Sequence, residues 1–189
     1  MNINTTYTAM EALQKLKDGN ARYLTASKNE GDISPARRAK TCDCGQTPYA
    51  IIITCSDSRV IPESIFSAGI GELFVIRVAG NVIDDHQLGS IEYAAEHLGC
   101  RLIVVMGHDR CGAVNAAISH DPDGYIKFIT DEIKSAIGEE TDDYRASCLN
   151  VMHSIKIIEE SLEIRQEEEH GLVVCGAIYR LGTGRVEFL

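Results

Sequence analysis

Four short runs along the chain are apolar almost without interruption, and the stretches between them carry apolar residues at helical spacing. Tyr49-Ala50-Ile51-Ile52-Ile53-Thr54, Leu73-Phe74-Val75-Ile76-Arg77-Val78, Arg101-Leu102-Ile103-Val104-Val105-Met106 and the run from Leu172 to Tyr179 are the four. Unbroken β-branched runs of this length predict strands buried on both faces, as in a parallel sheet. Between residues 8 and 24, Met10, Leu13, Leu16 and Tyr23 recur among charged residues and predict an amphipathic helix, bent or broken at Gly19. A polar connector over 29–35 leads to a shorter helix with Ser34 as cap and Pro35 in its first position. Ile91, Ala95 and Leu98 mark a helix over 89–98, another follows Cys111, and at least one covers 147–167. The turn Leu181-Gly182-Thr183-Gly184 predicts an antiparallel hairpin returning through Arg185-Val186-Glu187-Phe188. The fold class is therefore α/β, a mainly parallel central sheet with flanking helices and an antiparallel C-terminal edge strand. One domain is expected over 1–189, with a helical arm at about 8–40.

Composition narrows the partners. A net charge of −10 disfavours nucleic acid, which requires a concentrated basic surface. The Arg37-Arg38-Ala39-Lys40 patch reads as a solvated helix face, and Glu167-Glu168-Glu169 as a solvated helix end. No run approaches the roughly 18–20 apolar residues of a membrane span, so no membrane partner is expected. Residues 1–6 lack the basic start and apolar core of a signal peptide, and the expected location is cytoplasmic. Seven cysteines, an odd number, argue against a fully paired disulfide framework and fit a reducing compartment.

Two of the strand runs end in chemistry. Cys55-Ser56-Asp57-Ser58-Arg59 follows the first, and His108-Asp109-Arg110-Cys111 lies just past the third. Sites in open α/β sheets form outside the carboxyl ends of strands, so both clusters belong on one edge. Two thiolates and an imidazole suit Zn²⁺, and a set of three protein ligands leaves a fourth position for water, as in catalytic centres. Taken singly, Cys55 and Cys111 also read as small buried hydrophobes and His108 as a hydrogen-bonded core histidine. Their joint placement, bracketed by Gly107 and Gly112, favours the metal. Asp57 with Arg59 has a structural ion pair as its plainer reading, and Phe74, Ala79 and Tyr93 have core packing as theirs.

Cys-Ser-Asp-Ser-Arg followed much later by Gly-His-x-x-Cys-Gly resembles the β-class carbonic anhydrases. The likeness extends over nearly the whole chain. It takes in Glu11-Ala12-Leu13 through Gly19-Asn20-Ala21-Arg22-Tyr23, Arg77-Val78-Ala79-Gly80-Asn81, Gly89-Ser90-Ile91-Glu92-Tyr93-Ala94, Gly176-Ala177-Ile178-Tyr179 and Thr183-Gly184-Arg185-Val186. The resemblance implies a β-carbonic anhydrase-like fold and one Zn²⁺ per chain on Cys55, His108 and Cys111. It implies a catalytic dyad of Asp57 and Arg59, with Asp57 also a zinc ligand in a closed form. Gln46, nine residues before Cys55, matches the family's pocket glutamine. Phe74, Ala79, Tyr93 and Gly112 fall at substrate-pocket positions, Ala79 standing where plant-type enzymes carry valine. The family builds this pocket between two subunits and swaps N-terminal helices, which implies a homodimer or homotetramer.

The implied reaction is the zinc-dependent reversible hydration of CO₂ to bicarbonate and a proton. Two thiolates cancel the metal's charge and acidify water less than three imidazoles do, so a partner is needed to favour and orient the nucleophile. Asp57 can accept its hydrogen bond, and Arg59 can hold Asp57 by bidentate pairing. At lower pH Asp57 is expected on the metal, so activity should rise towards alkaline pH. Gln46 offers an amide donor to the oxygen that gains charge. One alternative keeps the metal and hydrolyses carbon disulfide or carbonyl sulfide; another is a non-catalytic zinc or thiol regulatory protein built on Cys42 and Cys44. Cys42-Asp43-Cys44 reads as two free thiols of a surface loop, with a second metal or a redox pair as alternatives. Cys100, Cys148 and Cys175 read as core, and His86, His97, His120, His153 and His170 are scattered candidates for a proton shuttle.

Overall fold

The four apolar runs form parallel strands β1 (Ala50–Thr54), β2 (Leu73–Arg77), β3 (Leu102–His108) and β4 (Val173–Tyr179) in a computed structural model. The structure describes residues 7–119 and 121–189. Strand β5 (Val186–Phe188) returns antiparallel along β4, and the sheet order is β2-β1-β3-β4-β5. Every residue of β1 and β3 is buried, as two-sided packing requires, whereas β2 at one edge is mostly half-buried. The register sets Ile53 between Ile76 and Val105, and His108 beside Tyr179.

Successive side chains of each strand serve opposite layers. Ile52, Val104 and Met106 pack on one face with Ala12, Leu16, Ile65 and Phe66. Ile51, Ile53, Ile103 and Val105 pack on the other with helix residues Ile91, Ala95, Val151 and Ile155. Each fully buried isoleucine contributes roughly 1.5–3 kcal/mol of transfer free energy, so this double layer fixes the strand ends that carry the site.

Helix α1 (Ala9–Tyr23) opens on a capping box between Thr8 and Glu11. It runs unbroken through Gly19, contrary to the expected bend. Gly19 is there because the backbone of Phe66 passes so close that a Cβ would lie 2.0 Å from its carbonyl oxygen. The helix packs on its own chain's sheet, burying Ala12 and Leu16 completely. Helix α2 (Pro35–Cys44) starts at the Ser34 cap as expected, and none of its residues is buried. Cys42 and Cys44 are exposed thiols on its last turns, not in a loop, because the helix continues until Gly45 at φ +76°.

A short helix α3 (Pro62–Ile65) precedes β2, and α4 (Asp85–Glu96) follows it. The latter begins four residues before the predicted start, where Asp84 and Gln87 form a second capping box. After β3 come α5 (Gly112–Ser119), α6 (Ile126–Ile137), α7 (Asp143–Glu159) and α8 (Leu162–Glu169). The stretch 147–167, expected to hold at least one helix, holds parts of two, separated at Ser161, whose hydroxyl accepts from the Ile164 N–H. Helix α6 was not anticipated. Among the described residues no helix is long and apolar enough to cross a membrane.

Candidate metal centre

The carboxyl ends of β1 and β3 bring Cys55, His108 and Cys111 together. Their ligand atoms all lie within 4.8 Å of one another, and the two sulfurs are 3.9 Å apart. All three residues are buried. His108 is the last residue of β3 rather than the first of the following loop. Gly107 lets α7 approach the strand at this point, since a Cβ there would meet Val151 Cγ2 of α7 at 2.8 Å.

The imidazole is oriented from one side only. Its Nδ1 donates to the Asp109 carbonyl at 2.8 Å, while Nε2 is fully buried and has no hydrogen-bond partner. An N–H facing a carbonyl on Nδ1 leaves a lone pair on Nε2, the tautomer a metal ligand needs. A buried nitrogen left unpaired costs free energy unless something fills the position. The residues present therefore fit a tetrahedral metal such as zinc, with one position left over.

The thiol pair is poised in the same sense. Hydrogen bonding with Cys111, and then the neighbouring His108 imidazole and the Gly80 N–H, hold the Cys55 thiol below its ordinary value against the opposing effect of burial. The hydrogen bond to Cys55, then burial and the negative charge on that sulfur, hold the proton on Cys111. Burial alone would lower the pKa of His108, but the neighbouring Cys55 thiol and the hydrogen bond to the Asp109 carbonyl raise it on balance.

Asp57 and Arg59 lie beside this group. Arg59 Nε donates to Asp57 Oδ1 at 2.9 Å and Nη2 to Oδ2 at 2.7 Å, a bidentate pair reinforced by the Arg59 backbone N–H on Oδ1 at 2.9 Å. The guanidinium holds the Asp57 carboxyl well below the usual carboxylate range. Asp57 Oδ2 stands 3.9 Å from His108 Nε2. Arg77 fixes the same segment from behind, donating to the carbonyls of Cys55 at 3.2 Å and Asp57 at 2.7 Å.

Ala79 opens the 3-10 turn Ala79–Asn81 after β2, and the next residue's N–H, that of Gly80, donates to Cys55 Sγ at 3.3 Å. Gly112 follows Cys111 directly and starts α5. Gln46, Phe74 and Tyr93 lie elsewhere. Gln46 precedes β1 at its amino end, in a cleft with Tyr7, Thr47, Cys100 and Arg101. Phe74, the second residue of β2, has its ring 6.3 Å from that of Tyr93 on α4, and Tyr93 stacks on His97 at 5.3 Å. Phe74 pairs with Ile51 of β1, four residues and thus roughly 13 Å along the strand from Cys55, and Gln46 lies farther still.

Among the described residues, the other histidines do not join the triad. His153 pairs with Glu132 at 2.8 Å, His97 stacks on Tyr93, His86 and His170 are exposed, and His120 lies outside the described residues. All seven cysteines are free thiols, and burial pushes Cys100 up to about 12 and Cys175 to about 11, as befits core residues.

Several residues that hold the centre carried no sequence signal of that role. Asn150 of α7 donates to the Gly80 carbonyl at 2.7 Å, and Ser154 to the Asn81 carbonyl at 3.0 Å. Gly80 itself, at φ +68°, sits where a Cβ would lie 2.7 Å from Ile133 Cδ1.

Comparison with known proteins agrees with this geometry. The family model described as carbonic anhydrase matches residues 50–186. The chain is 36% identical over 186 residues to carbonic anhydrase 2 of Mycobacterium tuberculosis, covering 92% of this chain and 89% of that protein. It is 37% identical over 188 residues to a carbonic anhydrase of Mycolicibacterium smegmatis, covering 93% and 91%. Among solved structures, a tetrameric β-carbonic anhydrase of Sordaria macrospora superposes with a TM-score of 0.76 at 31% identity, over 82% of this chain and 87% of that one. A strand-end Cys-His-Cys cluster, an arginine-held aspartate and a sheet shared with these proteins lead to one conclusion: the chain belongs to the β-class carbonic anhydrase family.

Proposed function

We propose that the protein binds one zinc ion through Cys55, His108 and Cys111 and catalyses the reversible hydration of CO₂ to bicarbonate and a proton. The observation that carries this reading is the buried, unpartnered Nε2 of His108, facing two thiols beside an aspartate that arginine has locked in place. When bound, zinc supplies the Lewis acidity that makes water a nucleophile near neutral pH.

Asp57 performs the orienting step. Arg59 takes both lone pairs of Oδ1 and one of Oδ2, so a single acceptor site on Oδ2 remains for the hydrogen of an attacking water. That fixed acceptor directs the water's free lone pair at carbon. Release by Arg59 would let the same carboxylate occupy the fourth position of the ion, closing the site. Ala79 and Gly112 keep the space beside the ligands free of bulk, which suits a small apolar substrate.

Gln46, Phe74 and Tyr93 complete the pocket from a second copy of the chain, with Gln46 donating to the substrate oxygen that gains charge. A homodimer or homotetramer is the working form. The seven free thiols, two of them exposed, support a reducing, cytoplasmic location.

Stopped-flow CO₂ hydration, together with metal analysis of the purified protein, tests the proposal. One zinc per chain, activity lost on chelation and recovered on adding zinc are expected. Zinc-loaded protein that hydrates no CO₂ at any pH would overturn it, and turnover of carbonyl sulfide alone would reassign the substrate.

A further inference from the structure

The turn that carries two of the ligands contains a residue in an unfavourable backbone conformation. Arg110 has φ +54°, in the left-handed region that residues bearing a Cβ avoid. The chain passes from the end of β3 at His108 into α5 at Gly112 through only three residues. Such a conformation persists where surrounding contacts over-determine it.

Those contacts come from the first turn of α7. Asp143 Oδ2 accepts the Arg110 N–H at 2.7 Å, and Oδ1 accepts from Asn115 Nδ2 at 3.2 Å. Asn115 Nδ2 also donates to the Cys111 carbonyl at 3.0 Å. The Arg110 carbonyl in turn faces Arg59 Nη2 at 3.4 Å. One carboxylate thus grips the residue before Cys111 and the helix after it, and through Arg110 it reaches the arginine that holds Asp57. Asp143 is not needed to cap α7, because Asp142 is the cap and accepts the Arg145 N–H at 2.9 Å.

We infer that Asp143 is a positioning residue of the metal centre, holding Arg110 left-handed so that His108 and Cys111 converge on one ion. The inference rests on the reading that this triad binds zinc. From the far side the turn is steadied by Asp109, whose Oδ1 accepts the Leu181 N–H at 2.8 Å. Asp143 therefore supplies the opposing half of a clamp.

A double-mutant cycle read by zinc affinity, in competition with a chromophoric chelator, tests it. Partners that orient metal ligands typically contribute 10- to 100-fold to affinity, so Asp143→Ala is expected to weaken zinc binding about 10-fold or more. Arg110→Gly keeps the backbone N–H and adopts positive φ freely, so in that background Asp143→Ala should cost less than about threefold. The visible spectrum of the Co²⁺-substituted protein should be displaced by Asp143→Ala and restored in the double variant. Equal losses in both backgrounds, or unchanged affinity in Asp143→Ala, would overturn the inference. Wild-type protein that binds no zinc would instead overturn the reading of the triad. Should Asp143→Ala prove too unstable to purify, Asp143→Asn keeps one acceptor oxygen. It should show a smaller loss, again relieved by Arg110→Gly, and a loss not relieved by it counts against the clamp.

Discussion

Asp57 and Arg59 are two residues apart, and their pairing is local enough to survive rearrangement elsewhere. Because the guanidinium lowers the folded pKa of Asp57, the pair's contribution is complete above the ordinary carboxylate value of about 4. It is lost only as pH falls through the lower folded value. The pair is therefore intact at any assay pH near neutrality. Asp57→Asn places an amide where an ionised acceptor is required, and kcat/KM should fall by roughly 10²- to 10⁴-fold with zinc content unchanged. Arg59→Lys should fall nearly as far, since an ammonium cannot make the bidentate contact. Steady-state CO₂ hydration beside metal analysis checks both, and wild-type turnover in Asp57→Asn would remove that residue from the mechanism. The grouping of Cys55, Asp57, Arg59, His108 and Cys111 was legible because both of their motifs directly follow unmistakable strands. Gly80, Asn150 and Asp143 were not. Their roles are hydrogen bonds across folded space, as from Asn150 to a carbonyl 70 residues earlier, and no local pattern encodes such a bond.

At the scale of elements, the buried strands were readable because β-branched runs without polar alternation fit little else at that length. Helix ends were harder, because they follow caps. Asp84 with Gln87 starts α4 before its apolar face begins, and the Ser161 hydroxyl restarts the chain as α8. Helix α6 had a signal in Ile126, Ile129, Ile133 and Ile137, a three-to-four spacing that places Ile133 and Ile137 in the core beside Val82 and Val114. Gly19 shows why composition misleads. Propensity alone says that alanine in a helix interior gains roughly 0.5–1 kcal/mol over glycine. Here the new Cβ would press on the Phe66 backbone, which cannot yield as a flexible side chain can. Overpacking of this kind costs about 1–3 kcal/mol or more, so Gly19→Ala should destabilise despite its better propensity. Urea unfolding decides the sign, and a stabilised variant would mean that α1 can lift from α3 without loss.

For the whole molecule, the informative fact is a separation. Asp57 lies at the carboxyl edge of the sheet with the ligands, while Gln46, Phe74 and Tyr93 lie towards the amino edge near β2. Strand β2 is the parallel edge of the sheet and only partly covered, so a second copy docking there has access to this group. If Gln46 serves the centre of the other chain, the two functions are separable in trans. A closed two-fold dimer has one isologous interface in which each contact occurs twice, so both centres receive the same exchange. Consider a heterodimer in which one chain carries Asp57→Asn and the other Gln46→Ala. One of its centres loses both residues, and the other has an intact Asp57 with an intact Gln46 from its neighbour. Heterodimers purified through two different tags should then recover about half of the wild-type activity per dimer, although each homodimeric variant is impaired. If Gln46 acted within its own chain, neither centre of the heterodimer would be complete, and the activity would not exceed the mean of the two parents.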